Sequence, residues 1–211
     1  MQHLTYCEEI AFDKIKKLRH DLKKQAASKG IKISYMPILI KATSLALTQF
    51  PSLNATVNSD VSEMIYHANH NIGVAIDTPK GLVVPVIKEV QKKSIFEIAA
   101  ALNELQEAGS NGTLTEAQLS GGTFSLSNIG THCSFFGFLF KTYTNLGSIG
   151  GTYAVPVLVV PQVVIGAFGR LQVLPRYTDK DGNSASMELI DRYDTFLLLS
   201  FRGANILLFC Y

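Results

Sequence analysis

Apolar residues recur at helical spacing near the start of the chain. From Phe12 to Ser28 they stand three or four positions apart, and Gly30 follows, which predicts a helix with one packing face. The other face of this helix is basic and is either a solvated surface or a docking face for an acidic carrier domain. The residues that make it basic are Lys14, Lys16, Lys17, Arg19, Lys23 and Lys24.

Two further segments have helical character. Met36 to Phe50 is apolar nearly all round, which predicts a helix buried in a large core or under a neighbouring subunit. Ser94 and Glu97 have the spacing of a capping box, so a third helix is expected from Ser94 to about Ala108, with Gly109 closing it. A single helical turn is predicted at residues 115–118.

Between and after the helices, short β-rich runs alternate with turn residues. The predicted strands are residues 54–58, 62–66, 70–76, 82–87, 121–130, 162–170, 171–177 and 184–190. The last two are joined by a strong hairpin turn at residues 178–183. Helices and strands are mixed without a repeat or a linker, which predicts one α/β domain.

Composition narrows the function classes. The 211 residues are 47% hydrophobic and only 17% charged, with a net charge of +2. This composition excludes a disordered tail and a coiled coil. The small net charge creates no overall positive potential that would attract nucleic acid. No apolar run reaches about 18 residues, so no membrane association is expected. A surface so poor in charge suggests that other subunits cover much of it. Residues 1–9 lack the pattern of a targeting segment, and none is expected in this chain.

Metal and disulfide chemistry are not expected. The three cysteines are odd in number and far apart: Cys7, Cys133 and Cys210. His67 and His70 bracket the start of a strand, where a role in a turn and its hydrogen bonds is favoured. His132 and Cys133 are adjacent, and neighbours on a strand point to opposite faces, which argues against a catalytic pair. The glycine-rich segments 121–123 and 147–152 fit tight turns better than phosphate loops.

The segment from Gly121 to Gly130 carries two serines on one face of a buried strand, Ser125 and Ser127. A hydroxyl at the end of such a strand can donate a hydrogen bond to a developing oxyanion. From the pattern alone, a bond from Ser127 to the backbone is the favoured interpretation.

Several segments together resemble the catalytic domain of the dihydrolipoamide acyltransferases, the core proteins of 2-oxoacid dehydrogenase complexes. The resemblance is carried by residues 34–37, 49–55, 70–78, 81–85, 121–130 and 148–152. The amino-acid sequence at residues 6–10 and 49–51 is most similar to the branched-chain type. It implies a two-layer α/β sandwich of the chloramphenicol-acetyltransferase type, a mixed sheet with helices on one face.

The resemblance also implies a function. Members of the family move an acyl group between a dihydrolipoyl thiol and coenzyme A, without a metal and without a covalent enzyme intermediate. A histidine acts as general base, and the serine that stabilises the oxyanion falls on Ser127. The lipoyl group is carried on a domain absent from this chain. The implied partners are two further copies in a homotrimer that builds a larger core, and the dehydrogenase and dihydrolipoamide dehydrogenase components. The implied location is the mitochondrial matrix.

Three departures from the family pattern lead to expectations of their own: an insertion, the absence of the family's N-terminal arm and of its lipoyl and subunit-binding domains, and the loss of the resemblance after about Ile190. Residues 131–147 stand where the family has a direct junction, so an insertion lying outside the common core is expected there. The domain is therefore predicted to span residues 4–190 with that interruption. Residues 191–211 are expected to form a divergent apolar tail, and both segments are attributed to unspliced sequence. The family's histidine lies in a His-x-x-x-Asp-Gly motif, which these 211 residues do not contain. Turnover is thus expected to be impaired, and the alternative is a non-catalytic relative that only assembles with, or interferes with, intact subunits.

Overall fold

A computed structural model describes residues 3–60, 62–128, 157–179 and 185–200. Within them the helices are α1 (Asp13–Ala27), α2 (Met36–Gln49), α3 (Ile95–Asn111) and α4 (Glu116–Leu119). The strands are β1 (His3–Ala11), β2 (Ala55–Val57), β3 (Met64–Tyr66), β4 (Ile72–Val74), β5 (Ile76–Thr78), β6 (Gly81–Val83), β7 (Val86–Ile87), β8 (Phe124–Asn128), β9 (Val164–Asp179) and β10 (Ala185–Ser200). Short 3₁₀ turns occupy Pro51–Leu53 and Val90–Lys92.

Six of these strands form one mixed sheet in the order β1-β10-β9-β8-β4-β7. β8 lies in its interior, parallel to both β4 and β9, while the other pairs are antiparallel. Two small hairpins, β2–β3 and β5–β6, stand apart from this sheet. Phe124, Ser125 and Leu126 of β8 are buried, which suits the apolar composition of the segment that holds this strand.

One face of the sheet packs against α2 and α3. The buried cluster there joins Ile40 and Leu47 of α2, Ile98 and Leu102 of α3, and sheet residues that include Leu126. α1 packs on α3 through a second, smaller cluster. The predicted two-layer arrangement, a mixed sheet with helices on one face, is confirmed.

The three predicted long helices are present, with two differences. α2 is buried over its first half, but Leu45 and Phe50 near its end are 59% and 56% exposed. Gly109 does not close α3. It lies inside the helix, where a Cβ would stand 3.3 Å from Cγ2 of Thr78, and the helix ends at Asn111, before Gly112, whose φ of +68° is the left-handed conformation that glycine adopts readily. The predicted capping box and the turn at α4 are both confirmed.

The strands follow the predictions less closely. The runs 70–76 and 82–87 are each broken in two, so that β4 and β7 join the main sheet while β5 and β6 pair with each other. The hairpin between β9 and β10 is confirmed by the pairing of Asp179 with Ala185. β1 was not predicted, and β10 continues to Ser200, beyond the predicted domain boundary at 190. That boundary stays a prediction.

Several expectations fall on residues outside the described ranges. These are the insertion at 131–147, the adjacent His132 and Cys133, the glycine-rich segment 147–152 and the end of the apolar tail, 201–211. Among the described helices, none combines the length and the apolar character that a bilayer span requires.

Candidate active site

Ser127 lies near the carboxyl end of β8, on the sheet face opposite the helices. Phe124 and Leu126 alternate with it along the strand and point into the buried cluster beneath α2 and α3. Ser125 and Ser127 therefore point to the other face. Ser127 is half-buried there, level with Ala167 of β9.

The two serines of β8 have different surroundings. Ser125 is 1% exposed, and its hydroxyl donates a 2.7 Å hydrogen bond to Oε1 of Gln162. The hydroxyl of Ser127 makes no hydrogen bond with the described part of the chain. Within the described residues, the backbone bond that the pattern favoured for Ser127 is not present.

Small residues flank the two serines on the same sheet face. Gly73 is in register with Ser125, and a Cβ on this glycine would stand 2.9 Å from Cγ1 of Val84 and 3.2 Å from Oγ of Ser125. The backbone N–H of Ala75 donates to the carbonyl of Leu126 at 2.9 Å, which brings Ala75 level with Ser127. Ala167 completes the set on the β9 side. A donor hydroxyl flanked by side chains this small can approach a carbonyl oxygen without steric hindrance.

His70 is not placed to act with Ser127. Its Nδ1 lies 2.8 Å from Oγ of Ser44 in α2, and both residues are buried. Because Ile72 pairs with Phe124, His70 stands level with residue 122, five residues from Ser127 along the strands, or about 16 Å. Burial, together with the positive charge of Lys41, lowers the pKa of His70 below its ordinary value. The expected hydrogen-bonding role of this histidine is confirmed.

His67 has a similar structural role. Its Nε2 lies 2.8 Å from Oγ1 of Thr56 in β2. Asn54 holds the loop that carries His67 by donating from Nδ2 to the carbonyls of His67 and Asn69, at 2.7 and 3.1 Å. The described residues contain no group of three or more His, Cys, Asp or Glu side chains that could hold a metal ion.

The glycines before β8 act as close-packing positions. Gly121 has a φ of +73°, and a Cβ on Gly122 would stand 3.0 Å from Nε2 of Gln162. Tight turns were the favoured interpretation of this segment; Gly121 takes the left-handed conformation, but residues 121 and 122 do not form a turn.

Sequence reasoning missed the part played by Gln162. The available signal was its position as an amide within the apolar run 155–168. A polar group in such a run needs a partner when the run is buried. Sequence does not reveal that the partner is Ser125, 37 positions away.

Comparison with known proteins identifies the chain's relatives. The family model of the 2-oxoacid dehydrogenases acyltransferase (catalytic domain) matches residues 1–138 and 140–194. The mitochondrial lipoamide acyltransferase component of the branched-chain alpha-keto acid dehydrogenase complex of Mus musculus is 49% identical over 178 residues, which are 84% of this chain and 33% of the mouse protein. The chain thus spans about a third of the length of that relative.

Solved structures of related cores share the fold. One is the Azotobacter vinelandii dihydrolipoamide acetyltransferase, studied for the roles of a serine, a histidine and an asparagine in its catalytic mechanism. It superposes with a TM-score of 0.80 at 27% identity, over 96% of this chain and 74% of its own. The cubic core of a pyruvate dehydrogenase multienzyme complex has the same TM-score at 28% identity and the same coverage.

Proposed function

The chain belongs to the family of 2-oxoacid dehydrogenase acyltransferase catalytic domains, and on that premise we propose that it moves an acyl group between a dihydrolipoyl arm and coenzyme A. The branched-chain type is favoured, because the mouse relative at 49% identity is the lipoamide acyltransferase of a branched-chain complex. Dihydrolipoamide and coenzyme A are substrates in this reaction, and no metal takes part.

The observation that carries the proposal is the half-buried hydroxyl of Ser127 near the carboxyl end of β8, which makes no hydrogen bond with the described part of the chain. In the reaction, a thiol sulfur attacks the thioester carbonyl carbon and gives up its proton to a base. The tetrahedral intermediate carries its negative charge on the former carbonyl oxygen. A hydroxyl donor fixed at that oxygen is worth about 10²–10³-fold in rate. The bond to the original sulfur then breaks, and that thiolate takes up a proton.

In the proposed reaction, the general base is the histidine of the family's His-x-x-x-Asp-Gly motif. These 211 residues do not contain that motif. None of the five histidines is followed by Asp-Gly four and five positions later. A thiol with a pKa of about 8.5 is only a few per cent thiolate at neutral pH. We expect the 211 residues alone to turn over at least about 10²-fold more slowly at pH 7 than an intact relative.

The missing motif also favours a second candidate function, a non-catalytic relative that assembles with intact subunits or interferes with them.

Cubic cores are known among the structural relatives. We propose that this chain forms a homotrimer that builds a larger core with the dehydrogenase and dihydrolipoamide dehydrogenase components, in the mitochondrial matrix.

One experiment separates the two candidates. The chain is compared at pH 7 with the same chain carrying the His-x-x-x-Asp-Gly segment of a relative, with dihydrolipoamide and a branched short-chain acyl-coenzyme A as substrates. The enzyme proposal predicts that the added segment raises turnover by about 10² or more. If turnover stays at the uncatalysed rate with the segment present, the non-catalytic function is the correct one.

A further inference from the structure

Gln162 is a buried amide that links three parts of the sheet region. It is 6% exposed, and its Oε1 accepts the 2.7 Å hydrogen bond from Ser125. Its amide nitrogen fits into the space that the missing side chain of Gly122 leaves. One end of the amide group therefore contacts Ser125 within β8, and the other end lies against Gly122 just before that strand.

The backbone around Gln162 is held in place by β2. The carbonyl of Pro161 accepts a 3.0 Å hydrogen bond from Val57, and the N–H of Val163 donates to Ala55 at 3.3 Å. Gln162 itself forms an antiparallel bridge with Thr56. The acceptor that Ser125 reaches is thus anchored from a separate hairpin.

Ser125 and Ser127 stand two residues apart on the same face of one strand, about 6.6 Å along it. On the β4 side, Ser125 faces Gly73. Because glycine has no side chain, it cannot hold the side chain of Ser125 in place. We infer that Ser125 and Gln162 are positioning residues for Ser127, and that their hydrogen bond fixes the strand segment that presents the oxyanion donor. This inference rests on the proposed function of Ser127 and deepens it.

The competing explanation is that the bond only satisfies two buried polar groups and stabilises the fold. The chain offers a matched control for that case. Ser44 is also 1% exposed and also makes one buried hydrogen bond, of 2.8 Å to His70, but it lies in α2 on the helix side of the sheet. Ser44→Ala and Ser125→Ala therefore remove the same group from equally buried positions.

The assay uses the 211-residue chain at pH 9. At that pH a larger fraction of the attacking thiol is ionised than at pH 7, so turnover depends less on a general base. Dihydrolipoamide and a branched short-chain acyl-coenzyme A are the substrates, and the rate without protein is subtracted. Thermal unfolding of each variant is measured in the same buffer.

We expect both serine variants to lose a few degrees of melting temperature. Only Ser125→Ala should lower kcat, by about 10- to 10²-fold with KM within about twofold, as expected for a misplaced group. Gln162→Met removes the hydrogen-bond acceptor and keeps a side chain of similar length. It should also lower kcat while KM changes little. This second variant keeps the test decisive if Ser125→Ala does not fold.

Equal kcat values for Ser125→Ala, Gln162→Met and Ser44→Ala would overturn the inference. Ser127→Ala, assayed alongside, separates that failure from a failure of the proposed function. If Ser127→Ala loses turnover while Ser125→Ala and Gln162→Met do not, only the positioning role is wrong. If Ser127→Ala keeps the parent's turnover, or the parent does not exceed the uncatalysed rate, the proposed function fails and the inference fails with it.

Discussion

Oγ of Ser44 and Nδ1 of His70 lie 2.8 Å apart in the interior and tie helix α2 to the loop that leads into β4. The same loop is fixed from the other side, because the backbone N–H of His70 donates to Oε1 of Gln91 at 2.9 Å. Lys41 closes the arrangement by donating to three carbonyls around the 3₁₀ turn at Val90–Lys92. A neutral imidazole suits this position, since a second positive charge would stand buried near Lys41.

The first prediction concerns stability against pH. Burial and Lys41 lower the pKa of His70 in the folded chain, and unfolding returns it to its ordinary value near 6.5. Between the folded pKa and 6.5 the unfolded chain binds a proton that the folded chain does not, so the free energy of unfolding falls as the pH falls from 7 toward 5. His70→Gln should flatten this slope in urea unfolding measured from pH 5 to 7.

The control for that experiment is His20→Gln, because His20 is exposed on α1. It should keep the slope of the parent chain. Identical slopes for the parent and His70→Gln would show that His70 does not titrate as described.

The second prediction concerns the start of α3. The hydroxyl of Ser94 accepts from the N–H of Glu97 at 3.3 Å, and the carboxylate of Glu97 accepts from the N–H of Ser94 at 2.7 Å. Hydrogen bonds from Ser94 lower the pKa of Glu97, so this contribution to stability is present above the ordinary pKa and is lost as the pH falls through the lowered one. Ser94→Ala should cost about 1 kcal/mol at pH 7, measured by urea unfolding.

Ser110→Ala is the comparison within the same helix. The hydroxyl of Ser110 bonds back to the carbonyl of Gln106, and alanine is the better helix former at such a position. Its effect should stay within about 0.5 kcal/mol of the parent. An equal loss in both variants would contradict a specific role of the cap.

The third prediction concerns the close approach of β4 to its neighbours. A Cβ at position 73 would stand 2.9 Å from Cγ1 of Val84, and valine has little freedom to turn away. Gly73→Ala should therefore cost about 1–3 kcal/mol. Val84→Ala removes the clashing methyl, so the double variant should be more stable than the sum of the two single effects predicts. Strict additivity in a double-mutant cycle would refute the clash.

The elements that could be predicted from the sequence are those that local patterns control. The spacing of Ile15 and Leu22, and the box of Ser94 and Glu97, gave α1 and α3 because both signals lie within one or two turns. The end of α3 was misplaced because Gly109 and Gly112 both offer a helix stop, and only Gly112 takes the left-handed conformation of a C-cap.

Strand pairings and hydrogen bonds between residues far apart in the chain could not be predicted from local sequence patterns. β1 was missed because its partner, β10, lies almost at the other end of the chain, with Leu4 paired to Leu199. The bond from Ser125 to Gln162 spans 37 positions, and only the folded chain shows that Ser127 is the serine of β8 whose hydroxyl makes no bond with the described residues. Resemblance to a family selected Ser127, whereas the residue pattern alone favoured a backbone bond for it.

The most direct test of the central claim is the turnover of Ser127→Ala at pH 9, with dihydrolipoamide and a branched short-chain acyl-coenzyme A. At this pH more of the thiol is ionised without a base than at pH 7, so the assay reports mainly on the stabilisation of the oxyanion. We predict that the parent chain exceeds the uncatalysed rate and that Ser127→Ala lowers kcat by about 10²–10³-fold with its melting temperature unchanged. A Ser127→Ala variant that turns over as fast as the parent would contradict the account.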